Sequence, residues 1–199
     1  MPIDYYISKY SVVLPLLAFL VAMVKNANRS TAFYRLGALV GFYLLFELLT
    51  SNYKLLGIHN NLFFLLPYVV LEYWLVLWCL QQRNITLGLV LLGTIAVEKW
   101  WFGNEWLSIS RSVEGLLILY FCSGWFRSTY RSPERKIEKL PNFYLCCGLI
   151  LYFLPTLPIF LNDAQVFRIN NNALLVLYGV KNVLNALSKV LLSVELWRD

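Results

Sequence analysis

The sequence is poor in charge. Only 14% of its 199 residues are Asp, Glu, Lys or Arg, against roughly 25% in an average soluble domain. A folded chain of this length has too much surface for so few charges to cover in water. Histidine is nearly missing: His59 is the single one, in an expected loop over 54–61. Histidine-based zinc sites and triads needing a histidine within an apolar helix therefore have no candidate. No glycine-rich phosphate loop, G-x-S-x-G elbow or CxxC pair occurs. Cys79, Cys122, Cys146 and Cys147 fall in apolar runs and read as small buried hydrophobes. Sustained period-two alternation is lacking as well, which leaves barrel strands without support.

What is present is long apolar sequence. The chain is 59% hydrophobic and 17% aromatic, with mean hydropathy +0.61. A membrane span needs about 20 mostly apolar residues, and seven such runs occur, over 5–24, 36–53, 62–80, 85–102, 112–126, 143–161 and 173–196. Backbone groups in lipid must be satisfied within their own segment, so the runs read as helices. The expected fold class is all-α: a polytopic membrane helix bundle of about seven transmembrane helices, forming a single domain over 1–199. The run over 112–126 is short. If it formed one re-entrant unit with 85–102, the count would fall. The first run follows Asp4 and contains Lys9, with no A-x-A site after it, and reads as a retained span rather than a cleaved signal.

Orientation follows from the basic residues. With the N-terminus outside, the inner segments hold Lys25, Arg29, Arg35, Arg83, Arg127, Arg131, Arg135, Lys136, Lys139 and Arg198. The outer segments hold Lys9, Lys54, Lys99, Arg111 and Arg168. Ten against five favours an outside N-terminus and a cytoplasmic C-terminus, as a multi-pass protein of a bacterial inner (cytoplasmic) membrane. The net charge of +6 is then a topogenic signal, and nucleic acid is not an expected partner. On this topology the glycosylation-like Asn28-Arg29-Ser30 and Asn84-Ile85-Thr86 are cytoplasmic chance matches. Arg127, Arg131, Arg135, Lys136 and Lys139 form the longest basic loop, suited to contact with anionic lipid or a cytoplasmic partner. Trp100, Trp101, Phe102 and Trp106 at one end, and Trp197 at the other, suit the headgroup region. A ligand-stacking platform over 99–106 is the alternative.

The last run carries the clearest polar pattern. Tyr178, Lys181, Asn182, Asn185, Ser188 and Lys189 recur at steps of three and four, which aligns them along one stripe of a helix. Such a stripe must face the bundle interior or a wet cavity. Lys189 reads as near enough to the inner surface to snorkel, while Lys181 reads as mid-membrane. The acids at matching depth are Glu72 and Glu47, in the third and second runs. Lys181 is expected to pair with Glu72, Glu47 or both, with Tyr178, Asn182 and Asn185 adding hydrogen bonds. The expected core thus links the second, third and seventh helices through Glu47, Glu72, Tyr178, Lys181, Asn182 and Asn185. It reads either as an interhelical clamp, as a ligand or ion site, or as a proton-handling group. A lysine in the seventh helix facing an acid in the third shares a layout with retinal proteins, without their acidic, aromatic helix pattern. Pro155 and Pro158 are expected to kink the sixth helix or free its carbonyls.

Asn61 followed by aromatics and a mid-span Glu72, together with the closing Asn182–Asn185 helix ending in Trp197-Arg198, resembles a pattern in small, uncharacterised seven-helix membrane proteins of bacteria. The resemblance covers about two spans. It implies a class and no mechanism, and no catalytic residue is carried over from it. The expected function is non-enzymatic: a small sensor or accessory protein that binds a small ligand, lipid or helical partner through the polar core. A transporter or channel using the same charges is the runner-up, and a lipid-active membrane enzyme the third. No cofactor or metal is expected. The expected partners are the bilayer, a cytoplasmic or membrane protein, and a small ligand.

Overall fold

A computed structural model describes residues 10–11, 13–25, 30–52, 64–82, 84–102, 108–130, 137, 140–161 and 171–198. Among the described residues the chain is all-helical, with seven helices and no strand: α1 (Val13–Lys25), α2 (Thr31–Ser51), α3 (Leu65–Cys79), α4 (Ile85–Phe102), α5 (Ser108–Tyr130), α6 (Phe143–Leu161) and α7 (Asn171–Arg198). Of these, α2 and α6 are each long and apolar enough to cross a membrane, and α1 and α3 hold shorter apolar stretches. The bounds of α4 and α6 coincide with the expected runs, whereas α2, α5 and α7 start earlier than expected.

Local chemistry accounts for these bounds. The Ser30 hydroxyl accepts the Phe33 N–H at 3.1 Å, so α2 begins at Thr31 and takes Arg35 into its first turns. Asn84, one of the glycosylation-like asparagines, accepts the Leu87 N–H at 3.3 Å at the head of α4. The end of α3 is a Schellman turn. Gln81 adopts a positive φ of 57°, and the N–H groups of Gln81 and Gln82 reach the carbonyls of Trp78 and Leu77. The head of α5 is capped from another helix. Glu98, late in α4, accepts the N–H groups of Ile109 at 2.9 Å and Ser110 at 2.8 Å, and also the Ser110 hydroxyl. A carboxylate at a helix N-terminus satisfies orphan donors and opposes the macrodipole. α5 therefore starts at Ser108, and Arg111 belongs to the helix rather than to an outer loop.

The packing closes a ring. In order, α1, α2, α3, α5, α6 and α7 each touch the next, α7 returns to α1, and α4 lies outside the ring against α3 and α5. The most extensive contact is between α6 and α7. There Gly148 admits the α7 backbone so closely that a Cβ would sit 3.1 Å from the Ser188 carbonyl oxygen. Within α6, the Thr156 hydroxyl donates to the Tyr152 carbonyl at 2.6 Å, close to the carbonyls that Pro155 and Pro158 leave without a helical N–H.

Around an apolar core, many large apolar side chains are also exposed, while several charged ones are buried. Val176, Val180, Val183, Leu187, Val190 and Val194 form one exposed apolar stripe along α7. Val24 and Trp100 are 90% and 89% exposed. Glu72, Glu98, Arg111, Glu114, Lys189 and Glu195 are buried.

Candidate functional site

Three helices of the ring, α3, α5 and α7, turn charge inward. Arg111 of α5 places its guanidinium between two carboxylates, Glu72 of α3 and Glu114 one turn along its own helix, and Nη1 donates to both. The Glu72 carboxylate also accepts the hydroxyls of Tyr43, at 2.9 Å from α2, and Tyr68, at 3.2 Å from α3. Aromatic rings enclose the guanidinium, its Cζ lying 5.0 Å from Tyr68, 5.2 Å from Phe153 and 5.6 Å from Phe160. The group is dry: Glu114 is 0%, Glu72 2% and Arg111 5% exposed. Glu114 Oε1 is buried and, among the described residues, has no hydrogen-bond partner. Lys189 of α7 lies close by. It is 8% exposed, with Nζ 3.0 Å from the centroid of the Tyr43 ring, whose hydroxyl binds Glu72.

These positions correct two readings of the sequence. Glu72 pairs with Arg111, where Lys181 had been expected. The reason is the early start of α5, which brings Arg111 inside and leaves four basic residues in the expected outer segments instead of five. The roles of the two lysines of α7 are also exchanged. Lys181 Nζ lies 5.0 Å from the Phe160 ring, next to the last residue of α6. Glu195 meets the other end of α6, accepting the N–H groups of Asn142 and Tyr144 at 2.8 Å each. The two helices run antiparallel, and α6 lies alongside 181–195. Its midpoint falls at Ser188, so Lys189 rather than Lys181 is central.

Beside the cluster is a cavity of about 160 Å³. Its lining is Tyr43, Phe46, Glu47 and Thr50 of α2, Tyr68 of α3, Tyr152 of α6, and Asn185 and Lys189 of α7. The α2 residues step by three and four along one helix face, so the cavity runs from Tyr43 toward the C-terminal end of α2 for about 10 Å. On the other side of Lys189 the packing is nearly closed and largely apolar, with Leu39, Leu145, Leu149 and Leu192 around a void of about 10 Å³. Lys189 is therefore the floor of a polar cavity above an apolar seal.

No family model, no curated protein and no solved structure matches the chain. The site stands on its own geometry.

Of the residues read as a core from sequence, the structure brings Glu47 and Asn185 to the cavity and Glu72 to the charge cluster; Lys189, read as reaching the inner surface, also lines the cavity. Tyr178 and Lys181 lie together near Phe160, with Lys181 Nζ 5.5 Å from the Tyr178 ring. Asn182 is half-buried on the same helix. Sequence reasoning missed Arg111, Glu114, Tyr43 and Tyr152. The available signal was the spacing of Arg111 and Glu114, an i,i+3 pair with no helix breaker from Ser108 onward. Of the basic loop, Arg127 is exposed in the last turn of α5. Arg131, Arg135, Lys136 and Lys139 lie outside the described residues, as do His59, Asn61 and Trp106.

Proposed function

We propose that this chain is a non-enzymatic, multi-pass membrane protein that binds a small polar ligand in the cavity above Lys189. It would act as a sensor or accessory protein. On this reading all seven helices cross a bacterial inner membrane, with the N-terminus outside and the C-terminus cytoplasmic. Support for the membrane comes from the apolar surface: an outer stripe on α7 and exposed tryptophans at the end of α4, together with a buried set of charges. Support for the orientation comes from Arg35, Arg127 and Arg198, which share the expected inner side.

The observation that carries the ligand reading is the position of the Lys189 ammonium. It faces a polar cavity and, among the described residues, is paired with no carboxylate. A ligand that binds there touches α2, α3, α6 and α7 together. Occupancy would favour one packing of these helices over another, and a shift of α6 would be passed to the segment 127–139 that precedes it. The test is ligand-induced thermal stabilisation of the full chain in lipid nanodiscs, screened against a library of small polar compounds. At least one compound is expected to raise the unfolding temperature, and Lys189→Met is expected to abolish the rise. A screen in which no compound does so sinks the reading.

The one-sided cavity favours a second reading. A polar cavity on one side of Lys189 with an apolar seal on the other has the layout of a transporter at rest in one of its two states. Flux of the stabilising compound into proteoliposomes separates the two, since a sensor passes nothing.

A further inference from the structure

The charge cluster holds more acid than base. Arg111 Nη1 donates to Glu72 Oε2 and to Glu114 Oε2, so the two carboxyl groups meet at a single nitrogen. They also lie within hydrogen-bonding reach of each other. Two carboxylates offer only acceptors, so a hydrogen bond joins them only when one carries a proton. The surrounding helices leave that place open. From α2 and α3, the Tyr43 and Tyr68 hydroxyls both donate to Glu72 Oε1. From α6, Tyr152 faces Arg111, and Phe153 and Phe160 flank the guanidinium. From α4, Glu98 is engaged by the N–H groups of Ile109 and Ser110. From α7, Lys189 presents its ammonium to the Tyr43 ring, with Glu47 of α2 in the same cavity wall, and Lys181 lies against the Phe160 ring. The ion pairs of Glu72 and Glu114 both run to Arg111.

Glu114 decides the balance. It is 0% exposed, and its Oε1 has no hydrogen-bond partner among the described residues. Ionised, it leaves part of a negative charge on a bare oxygen, and a buried ion short of partners neutralises itself instead. As a neutral acid its bare oxygen is a carbonyl, whose missing hydrogen bond costs far less than a bare charge. Two acids that crowd one site do not both ionise, and they titrate as a pair. We propose that Glu72 and Glu114 form a proton-binding site, in which the pair holds one proton beneath the Arg111 guanidinium and exchanges it with the cavity through Tyr43 and Tyr68. With that proton the two acids and the guanidinium are together neutral. The route is short. A tyrosine hydroxyl gives its proton to Glu72 Oε1 and takes another from water in the cavity, which is roomy enough to hold it. The tyrosine ends unchanged and the pair gains a proton; release runs the same steps backwards. Both tyrosines line the cavity, whereas the packing beyond Lys189 is nearly closed and largely apolar, so the proton arrives from one side. The site goes beyond the ligand reading and stands whether or not the cavity takes a ligand.

The experiment is infrared difference spectroscopy of the full chain in nanodiscs at neutral pH, with isotope-labelled glutamate to mark the carbonyl stretch of a protonated glutamic acid. The wild type is expected to show that band. Glu114→Gln and Glu72→Gln are each expected to abolish it, because one remaining carboxylate is then balanced by Arg111 alone. Glu47→Gln, Glu98→Gln and Glu195→Gln are expected to keep it. Should one of the first two fail to fold by circular dichroism, the other carries the comparison; should both fail, the three that keep the band place the proton by elimination. Exchange is read from the shift of the band after dilution into heavy water, which is expected in the wild type and expected to slow several-fold when Tyr43→Phe and Tyr68→Phe are combined. A wild type without the band overturns the proton site, and shows that the second carboxylate is ionised and balanced by Lys189 instead. A band that survives Glu114→Gln and Glu72→Gln, or that vanishes with Glu47→Gln, overturns it as well. A band that never shifts in heavy water, or shifts as fast without the two hydroxyls, overturns the exchange route. None of these results bears on whether a compound stabilises the chain through Lys189, so the ligand reading is judged separately.

Discussion

Replacing Arg111 by methionine isolates what the buried cluster contributes. The substitution keeps the aliphatic length and removes the one cation between Glu72 and Glu114. Breaking a buried pair by removing one partner typically costs about 3–5 kcal/mol, a large share of the roughly 5–15 kcal/mol that holds a domain together. For a chain of this size that is a fall in unfolding temperature on the order of 10 °C. The loss is unequal between the two acids. Glu72 keeps the Tyr43 and Tyr68 hydroxyls. Glu114 is 0% exposed, has one oxygen already without a hydrogen-bond partner among the described residues, and loses its bond to Arg111. Arg111→Met with Glu114→Gln should therefore recover more stability than Arg111→Met with Glu72→Gln. Thermal unfolding in nanodiscs, followed by circular dichroism, measures all three. Equal recovery from the two glutamines, or a loss from Lys181→Met as large as that from Arg111→Met, would refute the reasoning.

Four other outcomes are expected. Gly148→Val should destabilise by about 1–3 kcal/mol through overpacking against the Ser188 backbone, and should weaken ligand binding by displacing Lys189, both read by thermal shift. Glu98→Ala should cost about 1–2 kcal/mol by uncapping α5, whereas Lys99→Ala beside it should be close to neutral, by the same unfolding assay. Gln81→Gly should stabilise by about 1 kcal/mol, because a non-glycine side chain in the left-handed region costs roughly that much. Single cysteines introduced into a cysteine-free variant near Ser30 and near Trp101 should differ in labelling by a membrane-impermeant thiol reagent added to intact cells. Labelling is expected at the Trp101 end and protection at the Ser30 end.

The sequence was most legible where a single segment decides the outcome. The bounds of α4 and α6 could be read from hydropathy alone. The polar face of α7 was legible too, since the steps of three and four hold whatever the partner helix is. Depth was not legible, because it depends on how α6 lies along α7, and that register is set by Glu195 at one end and Phe160 at the other. Arg111 was lost for a related reason. Hydropathy ends a span at the first charge, whereas the helix is started by a carboxylate twelve residues earlier in the chain. A cap supplied by a neighbouring helix leaves no local sequence trace. The tyrosines of the core, Tyr43, Tyr68 and Tyr152, have the composition of ordinary apolar packing, and only their hydroxyl partners mark them as part of the site.

The seam between α1 and α7 has a consequence for folding. Among the described helices these two lie farthest apart in sequence, yet they pack against each other. The contact between them therefore closes a loop that encompasses every other described helix, and it is the one with the largest chain entropy to overcome. The pairs joined by short connections can form locally first, and this seam is then the contact whose loss would open the ring without undoing the α6–α7 packing.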